Sequence, residues 1–153
     1  MLLGKVLKKI NKKYKSIRFK NIKCNSKDCK PNDIFFAIKG NKSNGNNFIS
    51  EAIKNGAKII VSNLKFRGFD KDGNLFIYEK EPRQLLSEAA NLFYQKKPRN
   101  LIAVTGTNGK TSIANFFYQI LNYNNKAVAT IGTLGVISKK LKLKTANTTI
   151  DPN

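Results

Sequence analysis

The sequence contains no histidine and only two cysteines, Cys24 and Cys29, among its 153 residues. Two cysteines at this spacing, without histidine, are too few for a structural zinc site. They also do not make the dense disulfide framework of a small secreted domain. We therefore expect both cysteines to be thiols of a cytoplasmic protein.

Acidic residues and long apolar runs are also scarce. The chain has 9 Asp and Glu against 29 Lys and Arg, a formal net charge of +20. Such a charge can attract nucleic acid, but the lysines are spread along the whole chain, so we expect no specific nucleic-acid partner. A positive field favours small phosphorylated ligands equally well. No apolar run approaches the ~18 residues that span a bilayer, so we expect no membrane partner.

Apolar residues nevertheless make up 41% of the chain, which is enough for a buried core. The first of them lie in Met1–Ile10, where Leu3, Val6, Leu7 and Ile10 share one helical face. This pattern predicts an amphipathic helix. We expect it to dock onto the domain rather than lie on a membrane surface.

A glycine-rich segment from residue 106 to 112 is the strongest local pattern. It lies between Leu101–Val104, a predicted buried strand, and Ile113–Leu121, a predicted helix. Glycines let backbone N–H groups point inward, and the helix N-terminus adds positive potential, so this arrangement binds anions. The sequence therefore predicts a nucleotide-phosphate loop made of Gly106, Thr107, Asn108, Gly109, Lys110, Thr111 and Ser112.

Within this loop, Lys110 can reach the β- and γ-phosphates of a nucleotide, and the Thr111 hydroxyl can bind Mg²⁺. The match to the common G-x-x-x-x-G-K-[ST] pattern is imperfect, because Val104 stands where that pattern has glycine. The alternative is an ordinary strand-to-helix turn with a solvated lysine.

Strands alternate with helices along the chain, which predicts the α/β class. The predicted strands are Ile17–Ile22, Ile34–Ile38, Lys58–Val61, Leu75–Tyr78 and Ala127–Ile131, the last as a second parallel strand of the phosphate-loop unit. Two further helices are predicted at Phe48–Asn55, capped by Asn47, and from Pro82 through Phe93. The basic, proline-containing segment 96–100 predicts a boundary between units 1–97 and 98–153.

The string T-G-T-N-G-K-T-S resembles the ATP loop of the Mur ligases, and it is also similar to that of folylpolyglutamate synthetases. In the first unit, N-S-K-x-x-x-P-x-D-I-F-F-A-I-K-G, followed by N-G-x-x-F-I, resembles the N-terminal uridine-nucleotide domain of Mur ligases, which folylpolyglutamate synthetases lack. The strings I-G-T-L-G and N-T-T are most similar to the tripeptide-forming branch. The pentapeptide-forming branch remains an alternative, as does a non-catalytic uridine-nucleotide or basic nucleic-acid binding module.

The resemblance implies a small uridine-nucleotide-binding α/β domain over 1–97, then the truncated start of a P-loop-type parallel-sheet ATPase domain over 98–153. It implies ATP-driven amide formation, in which a substrate carboxylate becomes an acyl phosphate and an amino group then displaces phosphate. The implied partners are ATP, Mg²⁺ and UDP-N-acetylmuramoyl-dipeptide, which receives its third amino acid. We expect a monomer, and we expect these 153 residues alone to be inactive.

The resemblance also assigns site residues. Cys24 and Ser26 would hold the uridine, whereas Asn41, Lys42 and Ser43 would meet the ribose and diphosphate. The loop from Gly106 to Ser112 would hold ATP, with Lys110 as the catalytic residue and Thr111 on the metal. The muramoyl-peptide part would contact Asn147, Thr148 and Thr149.

Three positions depart from the family pattern: Asn25 and Asn44 stand for aspartate, and Lys27 stands for arginine. Lysine keeps the charge of arginine but not its planar fork. Asn44 still suits a turn before glycine.

Overall fold

The computed structural model describes residues 1–40 and 43–144, which fold into two compact units. The first unit comprises Met1–Lys97, and the second begins at Pro98. The first combines helices with a mostly parallel sheet, as the predicted α/β class requires. Within the described residues, no helix is long and apolar enough to cross a membrane.

A five-stranded sheet forms the centre of the first unit. Its strands are β1 (Ile22–Lys23), β2 (Ile34–Phe36), β3 (Ile59–Ser62), β4 (Gly68–Phe69) and β5 (Leu75–Tyr78). They lie in the order β1-β2-β3-β5-β4, and all neighbours are parallel except β4, which is antiparallel to β5. Every residue of β2 and β3 is buried, and all of them except Ser62 are apolar, as expected for central parallel strands.

Helices cover both faces of this sheet. They are α1 (Leu3–Val6), α2 (Ile49–Lys54) and α3 (Pro82–Phe93). Ile34 and Phe36 of β2 belong to the core cluster that includes residues of α1 and α3, whereas Phe35 belongs to the cluster that includes Ala52 of α2. The side chains of β2 thus alternate between two cores, because successive residues of a strand point to opposite faces.

The first helix is shorter than the predicted span of Met1–Ile10. It ends at Val6, and the chain then turns back, so that the Leu3 and Gly4 N–H groups donate to carbonyls of Ile17 and Lys15 at 2.8 and 3.0 Å. Leu3, Val6 and Leu7 are buried, and Ile10 packs against the same cluster. The apolar face therefore docks onto the domain, as expected.

Asn44, not the predicted Asn47, begins the segment that leads into α2. Its side-chain oxygen accepts the Asn46 N–H at 3.1 Å and starts a 3-10 turn over Gly45–Phe48, after which α2 continues. Asparagine favours such turns because its short side chain can accept a nearby backbone N–H. The prediction at Asn47 was wrong because it allowed for no turn before the helix.

The second unit contains α4 (Lys110–Tyr123) and a three-stranded antiparallel sheet of β6 (Ala129–Gly132), β7 (Gly135–Ser138) and β8 (Lys142–Leu143). The prediction of a parallel strand over Ala127–Ile131 was wrong. β6 is joined to β7 by two residues, and so short a connection permits only an antiparallel hairpin, since parallel neighbours need a long crossover.

The predicted buried strand at Leu101–Val104 is also absent from the strands of the described residues. Leu101 is 87% exposed and Ile102 is 60% exposed. A parallel strand is buried only when other strands pair with it and helices cover its faces. In the described part of the chain, no strand pairs with this segment.

The apolar side of α4 is similarly uncovered. Four large side chains at helical spacing are more than two-fifths exposed: Ile113, Phe116, Phe117 and Ile120. The buried apolar core of the described residues ends at Ala90. The two units therefore differ sharply in how much apolar surface they bury.

This difference predicts the order of proteolysis. Under limiting trypsin, we expect the first cuts beyond Lys97, leaving a transient product that ends at Arg99 or shortly after it, because segments with few buried contacts open most readily. Mass spectrometry of the products over time would identify the cuts. Lysines occur in both units, so early cleavage within the first unit, or equal resistance up to Lys144, would contradict the expectation.

Candidate functional site

The glycine-rich loop leads directly into α4. Gly106 and Gly109 have φ angles of +146° and +76°, values that side chains larger than glycine disfavour. Gly109 is the residue that caps α4, and no side chain caps this helix end. The N–H groups of the first helical turn therefore have no side-chain acceptor, and such groups are suited to bind an anion.

Lys110 lies folded over the loop. Its Nζ donates to the carbonyl oxygens of Gly106 and Thr107, the latter at 3.1 Å. The side chain is exposed. The structure thus brings the lysine cation, the loop backbone and the helix N-terminus together, which is the combination that phosphate binding requires.

Thr133 is a neighbour of this loop that the sequence analysis did not single out. The hydroxyl oxygens of Thr111 and Thr133 lie 3.4 Å apart, which joins the turn between β6 and β7 to the start of α4. The signal was present in the string I-G-T-L-G, which served only to distinguish family branches. Asn108 and Ser112 lie in the same exposed segment.

The donor set around the loop suits magnesium rather than a metal held wholly by protein. No group of three or more Cys, Asp or Glu among the described residues could hold a metal ion. Mg²⁺ commonly takes only one or two protein ligands and completes its shell with phosphate oxygens and water. The exposed Thr111 hydroxyl can supply one such ligand.

The predicted uridine loops follow neighbouring parallel strands. Residues 24–29 come directly after β1, and residues 37–48 come after β2. Ligands of open α/β sheets bind at the carboxyl ends of strands, where such loops meet. The fold therefore brings Cys24, Ser26 and Ser43 to the same edge of the sheet.

Ser26 is held firmly within the first of these loops. It starts a 3-10 turn over Ser26–Asp28 and is only 5% exposed. Its hydroxyl donates to the Glu51 carboxylate, and its carbonyl accepts from Asn55 Nδ2 at 2.9 Å. Asn25 caps the turn by accepting the Lys27 N–H at 3.2 Å. Asn25 thus takes the capping role that aspartate could fill.

The second loop closes through backbone contacts. The Gly40 N–H donates to the Ser43 carbonyl, and the Gly45 N–H donates to Ile38, both at 2.9 Å. A Cβ at Gly45 would lie 2.4 Å from the Ile38 nitrogen, so only glycine fits there. Ser43 is exposed.

Asn46 and Asn63 are further edge residues that the sequence analysis did not identify. Asn46 Nδ2 donates to Asn63 Oδ1 at 2.8 Å, which ties the loop after β2 to the end of β3. The predicted ligand residues Asn41 and Lys42 lie outside the described residues, as do Asn147, Thr148 and Thr149.

The two cysteines are both thiols and differ in burial: Cys24 is half-buried and Cys29 is buried. Burial, with a smaller contribution in the same direction from the nearby Asp33 carboxylate, raises the pKa of Cys29 to about 11. Asp33 is itself buried and accepts N–H groups of Asn21 and Lys30 at 3.0 and 3.1 Å. Cys29 is therefore a packing residue of the loop.

Comparison with protein families gives two consecutive matches. Residues 18–94 match the family model described as Mur ligase family, catalytic domain. Residues 104–152 match the model described as Mur ligase middle domain. The second match includes the glycine-rich loop 106–112 and α4.

Curated proteins and solved structures give similar matches. A UDP-N-acetylmuramoyl-L-alanyl-D-glutamate--2,6-diaminopimelate ligase of Rickettsia prowazekii (strain Madrid E) is 41% identical over 83% of this chain and 26% of its own length. The protein of the same name from Rhizobium meliloti (strain 1021) is 35% identical over 90% of this chain and 28% of its own. The chain thus spans about a quarter of the length of these relatives.

Among solved structures, the MurF ligase of Thermotoga maritima in complex with ADP has a TM-score of 0.54 and 29% identity, over 70% of this chain and 24% of that one. A structure of a UDP-N-acetylmuramoyl-L-alanyl-D-glutamate--2,6-diaminopimelate ligase has a TM-score of 0.75 and 24% identity, over 99% of this chain and 31% of that one. Because the identity to this second structure is only 24%, the match shows a shared fold and nothing more.

The raised pKa of Cys29 predicts unequal thiol reactivity. The thiolate is the reacting form, and a group with a pKa of about 11 is only ~0.1% ionised at pH 8. We expect iodoacetamide to alkylate Cys24 well before Cys29 in the folded protein, and both at similar rates in denaturant. Peptide mass spectrometry would follow each site. Native labelling of Cys29 as fast as that of Cys24 would contradict its burial.

Proposed function

Because the Mur ligase family model matches half of its residues, this chain belongs to the Mur ligase family, and we propose that it is the N-terminal part of an ATP-dependent amide ligase. The proposed reaction adds the third amino acid to UDP-N-acetylmuramoyl-L-Ala-D-Glu, a step of peptidoglycan precursor synthesis. The names of the curated relatives support this branch and suggest 2,6-diaminopimelate as the added amino acid.

The observation that carries the proposal is the geometry at the start of α4. Lys110 Nζ lies on the Gly106 and Thr107 carbonyls, beside an uncapped helix N-terminus, within the residues that match the family's middle domain. A related ligase structure contains ADP. These features support ATP binding by the loop from Gly106 to Ser112.

The residues of the loop would contribute by binding and neutralising phosphate charge, which dominates the catalysis of phosphoryl transfer. The Lys110 ammonium would leave the loop carbonyls and contact the β- and γ-phosphates. The Thr111 hydroxyl would hold Mg²⁺, which when bound would shield the phosphate charge from the attacking carboxylate. Backbone N–H groups of the first turn of α4 would orient the phosphates.

The first unit would hold the uridine nucleotide at the carboxyl ends of β1 and β2. Cys24, Ser26 and Ser43 lie in the loops at this edge, and the family resemblance adds Asn41 and Lys42. The muramoyl-peptide part is assigned to Asn147, Thr148 and Thr149 by the same resemblance. Units 1–97 and 98–153 would thus bind different substrates.

We also propose that the ligase acts as a monomer in the cytoplasm, without a specific nucleic-acid partner and without a membrane partner. The spread of its lysines along the chain supports an electrostatic role toward phosphorylated substrates rather than a nucleic-acid surface.

Substitution of Lys110 should separate the two nucleotide sites. In the full-length ligase, Lys110→Ala should weaken ATP binding about tenfold to a hundredfold, since hydrogen bonds to charged groups contribute about 1.5–3 kcal/mol. Uridine-nucleotide binding should stay unchanged, as measured by calorimetry. Lys126→Ala, an exposed lysine after α4, is the matched control. Unchanged ATP affinity in Lys110→Ala would falsify the assignment of the loop.

The 153-residue chain itself should not complete the reaction. The described part of its second unit leaves α4 uncovered and has no buried strand before the phosphate loop, so the ATP site lacks its supporting structure. Incubation with ATP, Mg²⁺, UDP-N-acetylmuramoyl-dipeptide and 2,6-diaminopimelate should yield no tripeptide product by mass spectrometry. Measurable turnover would mean that these residues suffice for catalysis.

A further inference from the structure

We propose that Glu51 and Asn55 are positioning residues that hold the loop 24–29 in the shape that binds the uridine nucleotide. Both lie in residues 49–56, which comprise α2 and the two residues after it and are called the α2 segment below. This inference rests on the proposed function, because that function assigns the loop to the nucleotide. Nothing in the family pattern quoted above requires either side chain.

Two hydrogen bonds connect the α2 segment to one residue of the loop. The Ser26 hydroxyl donates to the Glu51 carboxylate, and Asn55 Nδ2 donates to the Ser26 carbonyl at 2.9 Å. Glu51 and Asn55 are one helical turn apart, so they face the loop together. Side chain and backbone of Ser26 are thereby fixed at the same time.

These contacts change what Ser26 can offer a ligand. A serine hydroxyl has a single proton, and here that proton is given to Glu51. The residue is also only 5% exposed. Ser26 therefore acts as the attachment point of the loop, while the neighbouring Asn25 and Lys27 remain exposed at its surface.

Lys27 lies in the turn that Ser26 attaches to α2, so the turn determines where the lysine side chain begins. Its N–H is bound by the Asn25 side chain, which also donates to Asp28 at 3.0 Å, so Asn25 is occupied by the turn itself. Within the turn, the exposed Lys27 ammonium is the positively charged group that can contact an anionic ligand. Its position depends on the turn, and the turn depends on Ser26.

The chain just after the loop is held by the same segment. The Asn32 N–H donates to the Gly56 carbonyl at 3.0 Å, and a Cβ at Gly56 would lie 2.7 Å from the Pro31 nitrogen. Cys29, the last residue of the loop, belongs to the buried cluster that contains Ala52 of α2. The α2 segment thus fixes the loop at Ser26 and at Cys29, and it fixes the chain just after the loop at Asn32.

The first test compares three variants of the whole chain by titration with uridine 5′-diphosphate. Glu51→Ala removes the acceptor of the Ser26 hydroxyl and should raise the Kd about tenfold. Glu51→Gln keeps an acceptor oxygen and should restore binding to within about twofold of the wild type. Glu88→Ala, an exposed glutamate of α3, is the matched control and should bind like the wild type.

A double-mutant cycle with Ser26→Ala distinguishes positioning from direct contact. If Glu51 acts through Ser26, the single and double variants should all have the same raised Kd. Additive losses would mean that the Ser26 hydroxyl contacts the ligand itself, and would overturn the proposal. The backbone amide NMR shifts of Asn25–Cys29 should move in Glu51→Ala, while those of α3 stay in place.

The remaining outcomes separate this inference from the proposed function. A wild-type chain that binds uridine 5′-diphosphate, with Glu51→Ala binding equally well, would overturn the positioning role alone. Failure of the wild-type chain to bind the nucleotide at millimolar concentration would overturn the assignment of the first unit, and the positioning role with it. Equal losses in Glu51→Gln and Glu51→Ala would overturn the hydrogen-bond argument.

Discussion

The burial of β2 and β3 between two helical layers is the constraint on which the first unit depends. All residues of both strands are inaccessible to solvent, and their side chains alternate between two apolar clusters. Parallel strands need such cover on both faces, and α1, α2 and α3 supply it. Because the strands are parallel, their carboxyl ends share one edge, and this edge is where the loops of the candidate uridine site lie.

The same helix that completes one of these clusters also shapes the site. Ala52 of α2 is buried in the core, while Glu51 beside it bonds to the Ser26 hydroxyl. One short helix therefore links the packing of the core to the proposed uridine site, and its orientation is set by the cluster around Phe35 and Ile60. In the described part of the second unit no comparable core supports the phosphate loop, whose geometry depends on two glycines and on local bonds of Lys110.

Local patterns predicted much of the fold. Leu75–Tyr78 forms the predicted strand, and Pro82–Phe93 forms the predicted helix, because composition and a first-turn proline decide both locally. Leu101–Val104 could not be judged this way, since burial of a parallel strand depends on distant partners. For the site, the glycine spacing of the sequence predicted a phosphate loop at residues 106–112, and the structure gives these residues a glycine-rich turn that leads into α4. It did not identify Glu51, Asn55 or Thr133, because their contacts join residues that lie far apart in the chain.

The uncovered side of α4 has a consequence for how the protein is made in the cell. Every buried apolar residue of the described core lies at or before Ala90, and the partly buried Leu92 and Phe93 pack against that core. The first unit therefore has its apolar packing partners once the chain up to Phe93 has left the ribosome. Domains of nascent chains fold in this order, N-terminal first. The stripe from Ile113 to Ile120 emerges afterwards with its aromatic and aliphatic side chains in water. Exposed apolar stripes of this kind are surfaces that chaperones bind and through which copies aggregate.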